Sequence, residues 1–245
     1  MNRTAISFMA AMALLLTLIT ATAQQSKPWT GWSKKEAEKI LSDSPWAQTQ
    51  TDTDTSQMFY SPTSDPRLGA RVTSTTGVRV GEGATNQSVN IIYRVRFFSA
   101  RPIRQALVRL MWIQQTPPAE VAQKMTNFAE LQSSDSIIVT VTFDSNDQRY
   151  SGTVMQAFNS AVTATLKNDT YLERNDGKRL FLEEYVPPGK DGFGARFIFL
   201  RELDGQPFIS KDTAQVRFYA QYTNGPKIDR RFKVADMIYQ GGLEF

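Results

Sequence analysis

The side chains available for chemistry are carboxylates, hydroxyls, amides and cations, because the 245-residue chain contains no cysteine and no histidine. Disulfides, thiol nucleophiles and histidine bases are therefore excluded. The remaining enzymatic option is a pair of carboxylates held about 5–10 Å apart, as in glycoside hydrolysis. The local candidates are Glu183, Glu184, Glu202 and Asp204.

These four acids do not form a convincing pair. Glu183 and Glu184 are adjacent on a predicted strand, so their side chains point to opposite faces. Glu202 and Asp204 flank a predicted hairpin turn, where acidic residues are normally solvated. We therefore predict no catalytic residue, and a carboxylate-dependent hydrolase of cell-envelope glycans is kept as an alternative.

Motifs for cofactors and metals are incomplete. The stretch Gly81-Glu-Gly83 begins like a dinucleotide-binding loop but has no third glycine, and it does not lie between a strand and a helix. The acidic stretches at 52–54 and 144–147 lack the glycine and the distant glutamate of a calcium loop. We predict neither a cofactor nor a metal ion.

The N-terminus predicts export. Arg3 gives a basic start, Ile6 to Ile19 is an almost unbroken apolar run, and Ala21-Thr-Ala23 is a small-x-small cleavage site. The run has fourteen residues, fewer than the ~20 that usually span a bilayer. We expect residues 1–23 to be a cleaved signal peptide, with no stable membrane insertion afterwards and a periplasmic or extracellular location.

The charge of the remaining chain gives little support for a polyanionic partner such as nucleic acid. The full chain has 28 basic and 24 acidic residues, for a net charge of +4, and loss of Arg3 leaves +3. Several arginines, namely Arg94, Arg96, Arg101, Arg104 and Arg109, together with 227–233, are expected to face solvent. No nucleic-acid partner is predicted. An exported chain without cysteine is more typical of bacteria.

A short helix flanked by tryptophans opens the mature chain. Ser33 and Glu36 form a capping box, and Ser44-Pro45 ends the helix, which predicts a helix over 34–42. Trp29, Trp32 and Trp46 are the candidate interaction residues. If they dock the helix onto the body, all three should be buried; if they bind a glycan or a protein partner, at least two should form an exposed patch.

This segment resembles a group of exported bacterial proteins of unknown function. Their mature N-termini have the pattern W-x-x-W-x-x-x-E-A-x-x-I-L-x-x-S-P-W-A, which matches residues 29–47 closely. The resemblance implies export and a bacterial origin, and it implies no activity.

The rest of the chain predicts an α+β fold. Apolar residues alternate over 89–97 and 137–143, as in half-buried strands. Helical spacing appears over 103–111, from Thr116 through Phe128, and from Ser151 through Leu166. After residue 168, the turn pairs Asp176-Gly177, Asp204-Gly205 and Asn224-Gly225 predict an antiparallel β-meander, preceded by three or four helices in the N-terminal and middle parts.

The predicted organisation is a signal peptide (1–23), a tryptophan-flanked helical segment (24–47), a polar linker (48–56) and a single α+β domain (57–245). The expected function is a non-enzymatic role in binding or in cell-envelope structure, with an unknown protein or glycan as the partner. Besides the hydrolase, the alternative is an apolar-ligand carrier, which would need an open cavity inside the C-terminal sheet.

Overall fold

The computed structural model describes residues 27–54, 89–132, 135–145, 148–223 and 225–245. The expected signal peptide and residues 55–88, which include the start of the predicted α+β domain, lie outside these residues. Within the described residues, no helix is long and apolar enough to cross a membrane.

Five α-helices are described, and all of them precede the main run of C-terminal strands. They are α1 (Lys34–Ser42), α2 (Arg101–Gln114), α3 (Ala119–Glu130), α4 (Gln148–Ser160) and α5 (Thr163–Leu166). Two 3₁₀ turns lie at Trp29–Gly31 and Val234–Asp236. The bounds of α1 agree with the prediction, and both hydrogen bonds of the Ser33–Glu36 capping box are present.

The last predicted helix is interrupted. A single helix from Ser151 through Leu166 was expected, but α4 ends at Ser160 and α5 begins at Thr163. The backbone of Val162 is extended, and its N–H donates to the Thr165 hydroxyl at 3.2 Å. A side chain that bonds the backbone locally competes with helix continuation, and here it starts a new turn.

Thirteen strands are described. They are β1 (Ala47–Asp54), β2 (Val89–Phe97), β3 (Ser136–Ser145), β4 (Thr170–Arg174), β5 (Arg179–Phe181), β6 (Glu184–Val186), β7 (Ala195–Leu200), β8 (Glu202–Leu203), β9 (Gln206–Pro207), β10 (Gln215–Gln221), β11 (Lys227–Lys233), β12 (Ile238–Tyr239) and β13 (Gly242–Leu243). All pairings between the described strands are antiparallel. The predicted α+β class is therefore confirmed.

The longer strands form two sheets. Sheet A has the order β1-β2-β3-β7-β6, sheet B has the order β11-β10-β4-β5, and β8-β9 and β12-β13 are separate hairpins. Neighbouring arms of the C-terminal half pair as expected, but they are shared between two sheets.

The two sheets face each other across an aromatic core. Phe97 of sheet A contacts Phe232 of sheet B at a ring-centroid distance of 4.9 Å, and Phe197 contacts Phe218 at 5.1 Å. All four rings are fully buried. Edge-to-face pairs such as these stabilise a core beyond their buried area, so the sandwich interior is filled by side chains.

At one edge of the sandwich, the chain passes directly from sheet B to sheet A. β5 belongs to sheet B and β6 to sheet A, with only Leu182 and Glu183 between them. The Leu182 N–H donates to Thr170 of sheet B, and the Glu183 N–H donates to Ile198 of sheet A. The chain thus keeps its hydrogen bonds as it crosses the corner.

At the opposite edge of the sandwich, the side chains of Gln48 and Gln50 on β1 form hydrogen bonds to the backbone of β11. We call this contact between the two sheets the glutamine seam. Gln50 donates to the Lys227 carbonyl at 2.7 Å and accepts from the Asp229 N–H at 2.9 Å. Gln48 donates to the Arg231 carbonyl at 2.6 Å. Residues 48–54 form β1, so the prediction of an irregular linker at 48–56 is wrong for them.

Helices α1 and α2 pack on each other, and α1 also packs on the first two strands of sheet A. Arg96 points away from the sandwich core, and its Nε donates to the Leu41 carbonyl near the end of α1 at 2.6 Å. Helix α3 packs antiparallel to α2 as a helical hairpin. Helices α1, α2 and α3 are therefore layered on the side of sheet A that does not face sheet B, whereas Phe158 of α4 packs against Phe143 and Tyr222 at the end of the sandwich.

Candidate functional site

The three tryptophans are buried, as docking of the N-terminal segment requires. Trp29, Trp32 and Trp46 are 6%, 8% and 7% exposed. The Trp29 indole donates to Glu130 at 2.5 Å and packs against Trp112, with ring centroids 5.1 Å apart. The Trp46 indole donates to the Glu244 carbonyl at 2.8 Å. These indoles form no exposed platform, so a binding surface must be sought elsewhere.

The candidate catalytic acids do not come together in a buried site. Glu183, Glu184 and Asp204 are exposed. Glu202 lines an open cleft of about 420 Å³ together with Asp135, Leu200 and Arg201. Two carboxylates therefore share this opening, but both are exposed to solvent. A general acid normally sits in an apolar, water-poor pocket, and this cleft does not provide one.

Among the described residues, no group of three or more acidic side chains is arranged to hold a metal ion. Asp144, from one of the two acidic stretches, instead lies 3.9 Å from the guanidinium of Arg94.

Several arginines that were expected to face solvent are buried or partly buried. Arg104 is 3% exposed, and burial lowers the pKa of its guanidinium. Burial also lowers the pKa of Arg96 to about 10. The Arg101 side chain is 13% exposed and pairs with Glu244 at 2.8 Å. The solvent-facing prediction is therefore wrong for these three. Buried cations need acceptors in place, and carbonyl oxygens or a carboxylate supply them here.

The feature best suited to binding is an apolar cleft between α2 and α3. Its volume is about 310 Å³. Its lining consists of Leu107, Val108, Met111, Val121, Lys124, Met125, Phe128 and Phe193. Lys124 is the one charged residue among these described side chains. Several of these side chains reach solvent: Met111, Val121 and Phe128 are 36%, 44% and 36% exposed. We call this feature the α2–α3 cleft.

The cleft remains open because α3 is attached mainly at its C-terminal end. Arg104 of α2 donates to the backbone carbonyls of Ser99, Phe128 and Leu131. Two of these acceptors belong to the last turn of α3 and the residue after it, where helix carbonyls lack intrahelical partners. Glu130 accepts from Trp29 and from Gln105. Ala129 is the one buried residue of α3.

A loop at 187–194 forms one wall of the cleft. Asp191 accepts from the Phe193 N–H at 3.0 Å and pairs with Arg196 at 2.7 Å. The Phe193 hydrogen bond is the largest cause of the lowered pKa of Asp191. Phe193 then packs against Phe98 at 5.1 Å, and Phe98 contacts Phe128 at 5.8 Å. This aromatic chain connects the loop to α3.

Gly194 allows the loop to lie this close to sheet A. Its φ is +81°, and a Cβ added there would lie 2.3 Å from the Val141 carbonyl oxygen. A side chain at this position would therefore push the loop away from β3, and Phe193 would move with it.

The cleft lies outside the C-terminal sheet, where the alternative function, an apolar-ligand carrier, would need its cavity. The space between the sheets is occupied by buried aromatic residues. The sequence did contain a relevant signal, since Val121, Met125 and Phe128 were predicted as the apolar stripe of a helix. Which part of that stripe stays uncovered depends on the placement of α2.

Comparison of the chain with protein-family models, curated proteins and solved structures finds no match. The site is therefore interpreted from its geometry alone.

Proposed function

We propose that this is an exported, non-enzymatic binding protein, and that its α2–α3 cleft receives the apolar face of a helix from a partner protein. The open apolar cleft between two antiparallel helices is the observation that carries the proposal. Apolar residues at i, i+4 spacing on both helices, Leu107 with Met111 and Val121 with Met125, form the walls that a third helix needs.

The shape of the cleft favours a helix over an enclosed small ligand. Small-molecule sites have volumes of about 300–1,000 Å³ and bury most of the ligand surface. The α2–α3 cleft is at the lower end of that range, at about 310 Å³, and its rim residues are exposed. Met111 and Met125 add flexible, polarisable side chains that adapt to the shape of a partner. An apolar-ligand carrier is the alternative occupant.

The partner can be tested with a photo-crosslinking amino acid at Val121 in cells that export the protein. We expect a discrete adduct with one protein of defined mass. The matched control is Gln123, which is exposed on another face of the same helix and bonds Asn127. A crosslinker at Gln123 is expected to give no adduct.

A second substitution inside the cleft tests whether apolar contact drives the adduct. Met125→Asp places a charge against an apolar partner, which costs more than about 1.4 kcal/mol and should reduce the adduct at least about tenfold. Thermal melting should show that Met125→Asp still folds cooperatively, because Met125 is only partly buried. Equal adducts at Val121 and Gln123 would contradict the proposal, and an adduct with lipid alone would favour the carrier.

Export itself is tested by intact-mass measurement of the protein recovered from the periplasm or the medium. We expect Gln24 to be the first residue, since the cleavage pattern ends at Ala23. Protein that keeps Met1 and sediments with membranes would be the opposite result.

A further inference from the structure

The outward face of sheet B has an excess of positive charge, and we call it the basic face. Antiparallel partners point to the same side of a sheet, so the registers define its members. The cations are Arg179 on β5, Arg217 on β10, and Lys227, Arg231 and Lys233 on β11. The acids on the same face are Glu173 and Asp229. Five cations and two acids leave a charge of +3 among the described residues.

The two acids are already engaged by arginines within the face. Arg217 donates to both oxygens of Asp229, at 2.7 and 2.6 Å, and lies 3.3 Å from Glu173. Arg179 pairs with Glu173 at 2.5 Å. Arg231 and Lys233 are exposed and form no ion pair with any residue that the structure describes. Lys227 is also exposed, but its ammonium lies over the ring of Tyr219 at 5.4 Å, so Arg231 and Lys233 are the cations most available to an external anion.

A row of aromatic rings crosses the same face. Tyr219 stacks on Tyr171 with ring centroids 5.0 Å apart and an interplanar angle of 17°. Tyr171 contacts Phe181 at 5.9 Å. Phe181 is 46% exposed and lies at the edge of the sheet. The row thus ends in an apolar surface that a ligand can reach, at the edge of the sheet opposite to Arg231 and Lys233, so a ligand that contacts both must extend across the four strands.

A concavity of about 410 Å³ adjoins this row. Arg174, Arg217 and Arg231 contribute three guanidinium groups to its lining, and Glu173 contributes one carboxylate. A recess with this charge can hold an anionic group while the flat part of the sheet holds neighbouring units of a polymer.

We propose that the basic face binds an acidic polysaccharide, independently of the α2–α3 cleft. The net charge of +3 favours an anionic ligand, and a flat sheet accepts an extended chain. The apolar faces of sugar rings pack on aromatic side chains such as Phe181, while carboxylates or sulfates pair with Arg231 and Lys233. Single-stranded nucleic acid is less suited, because base stacking uses several accessible rings and Tyr171 is 7% exposed.

Titration calorimetry of the full mature chain with hexagalacturonate, a uronic-acid oligomer, tests the proposal. We expect binding that weakens as salt rises from ~50 to ~200 mM, as for any ligand held largely by charge. Maltohexaose, a neutral oligomer, should not bind measurably. Hexauridylate binding more tightly than hexagalacturonate would overturn the glycan assignment.

Charge-removal variants locate the site. Arg231→Gln with Lys233→Gln is expected to weaken hexagalacturonate binding about tenfold or more, since two cations are lost. Lys35→Gln with Lys39→Gln is the matched control, because it removes the same charge from exposed positions on α1. Equal weakening by both pairs would overturn the proposal, as would wild-type protein that does not bind hexagalacturonate.

The aromatic row is tested separately with Phe181→Ser. Loss of the exposed ring should weaken hexagalacturonate binding severalfold without changing its salt dependence. An unchanged dissociation constant would show that the face binds anions through charge alone and would overturn the polysaccharide assignment.

Discussion

Replacing Trp46 by alanine is expected to lower the free energy of unfolding by about 3–5 kcal/mol, the usual cost of truncating a large core aromatic. Trp46 is 7% exposed, and its ring contacts Tyr239 edge-to-face at 6.0 Å. Its indole N–H also donates to the Glu244 carbonyl. The substitution therefore leaves a cavity between the N-terminal segment and the last residues of the chain. Urea denaturation followed by circular dichroism measures the loss.

Trp46→Phe is the matched control for this experiment. It keeps an aromatic ring in the same place and removes the indole donor, so a smaller loss of about 1–3 kcal/mol is expected. If Trp46→Ala unfolds at the wild-type urea concentration, the N-terminal segment is not docked through this residue.

Replacing Arg104 by methionine is expected to cost about 3–5 kcal/mol and to release helix α3. Arg104 is buried, and its guanidinium donates to the backbone carbonyl oxygens of Ser99, Phe128 and Leu131. Removing the donor leaves buried acceptors without partners, and each costs about 1–3 kcal/mol. Two of them hold the end of α3. Hydrogen exchange should show the amides of α3 exchanging faster, while those of β3 keep most of their protection.

Arg109→Met provides the comparison on the same helix. Arg109 donates to one carbonyl, that of Trp32, at 2.6 Å and is only partly buried. We expect a loss of about 1 kcal/mol and unchanged exchange in α3. Wild-type exchange in α3 of Arg104→Met would mean that the helix is held by its other contacts. Crosslinking from Val121 in Arg104→Met should fall if the cleft depends on this anchor.

Local sequence signals predicted the elements whose cause is local. The capping box fixed the start of α1, and alternating apolar residues marked β2 and β3. Strand β1 was missed because its inward-facing positions are polar. Gln50 is 8% exposed while Thr49 and Thr51 are exposed, so the alternation exists without an apolar residue on the buried side. The side-chain amides of Gln48 and Gln50 bond β11 in place of a neighbouring strand, and such polar residues produce no hydrophobic pattern in the sequence.

The candidate site was predictable only in part, because its open face depends on distant contacts. The apolar stripe of α3 was visible in the sequence, but its exposure follows from how Arg104 and Trp29 anchor one end of the helix. Phe193 reaches the cleft because Gly194 lets its loop lie against β3. The arginines were wrongly expected to face solvent for the same reason. The carbonyl oxygens that accept their hydrogen bonds belong to other segments, so the sequence around each arginine does not reveal them.

The glutamine seam has a consequence for the order of assembly. The hydrogen-bonding groups of β11 at Lys227, Asp229 and Arg231 are occupied by β1, which precedes them by about 180 positions in the chain. A molecule in which β1 has not yet docked presents those groups as a bare edge, and bare edges invite strands from other molecules. Strand β1 thus protects the edge of β11 from pairing with strands of other molecules. Molecules that lack a docked β1 are therefore expected to aggregate more readily than the intact protein.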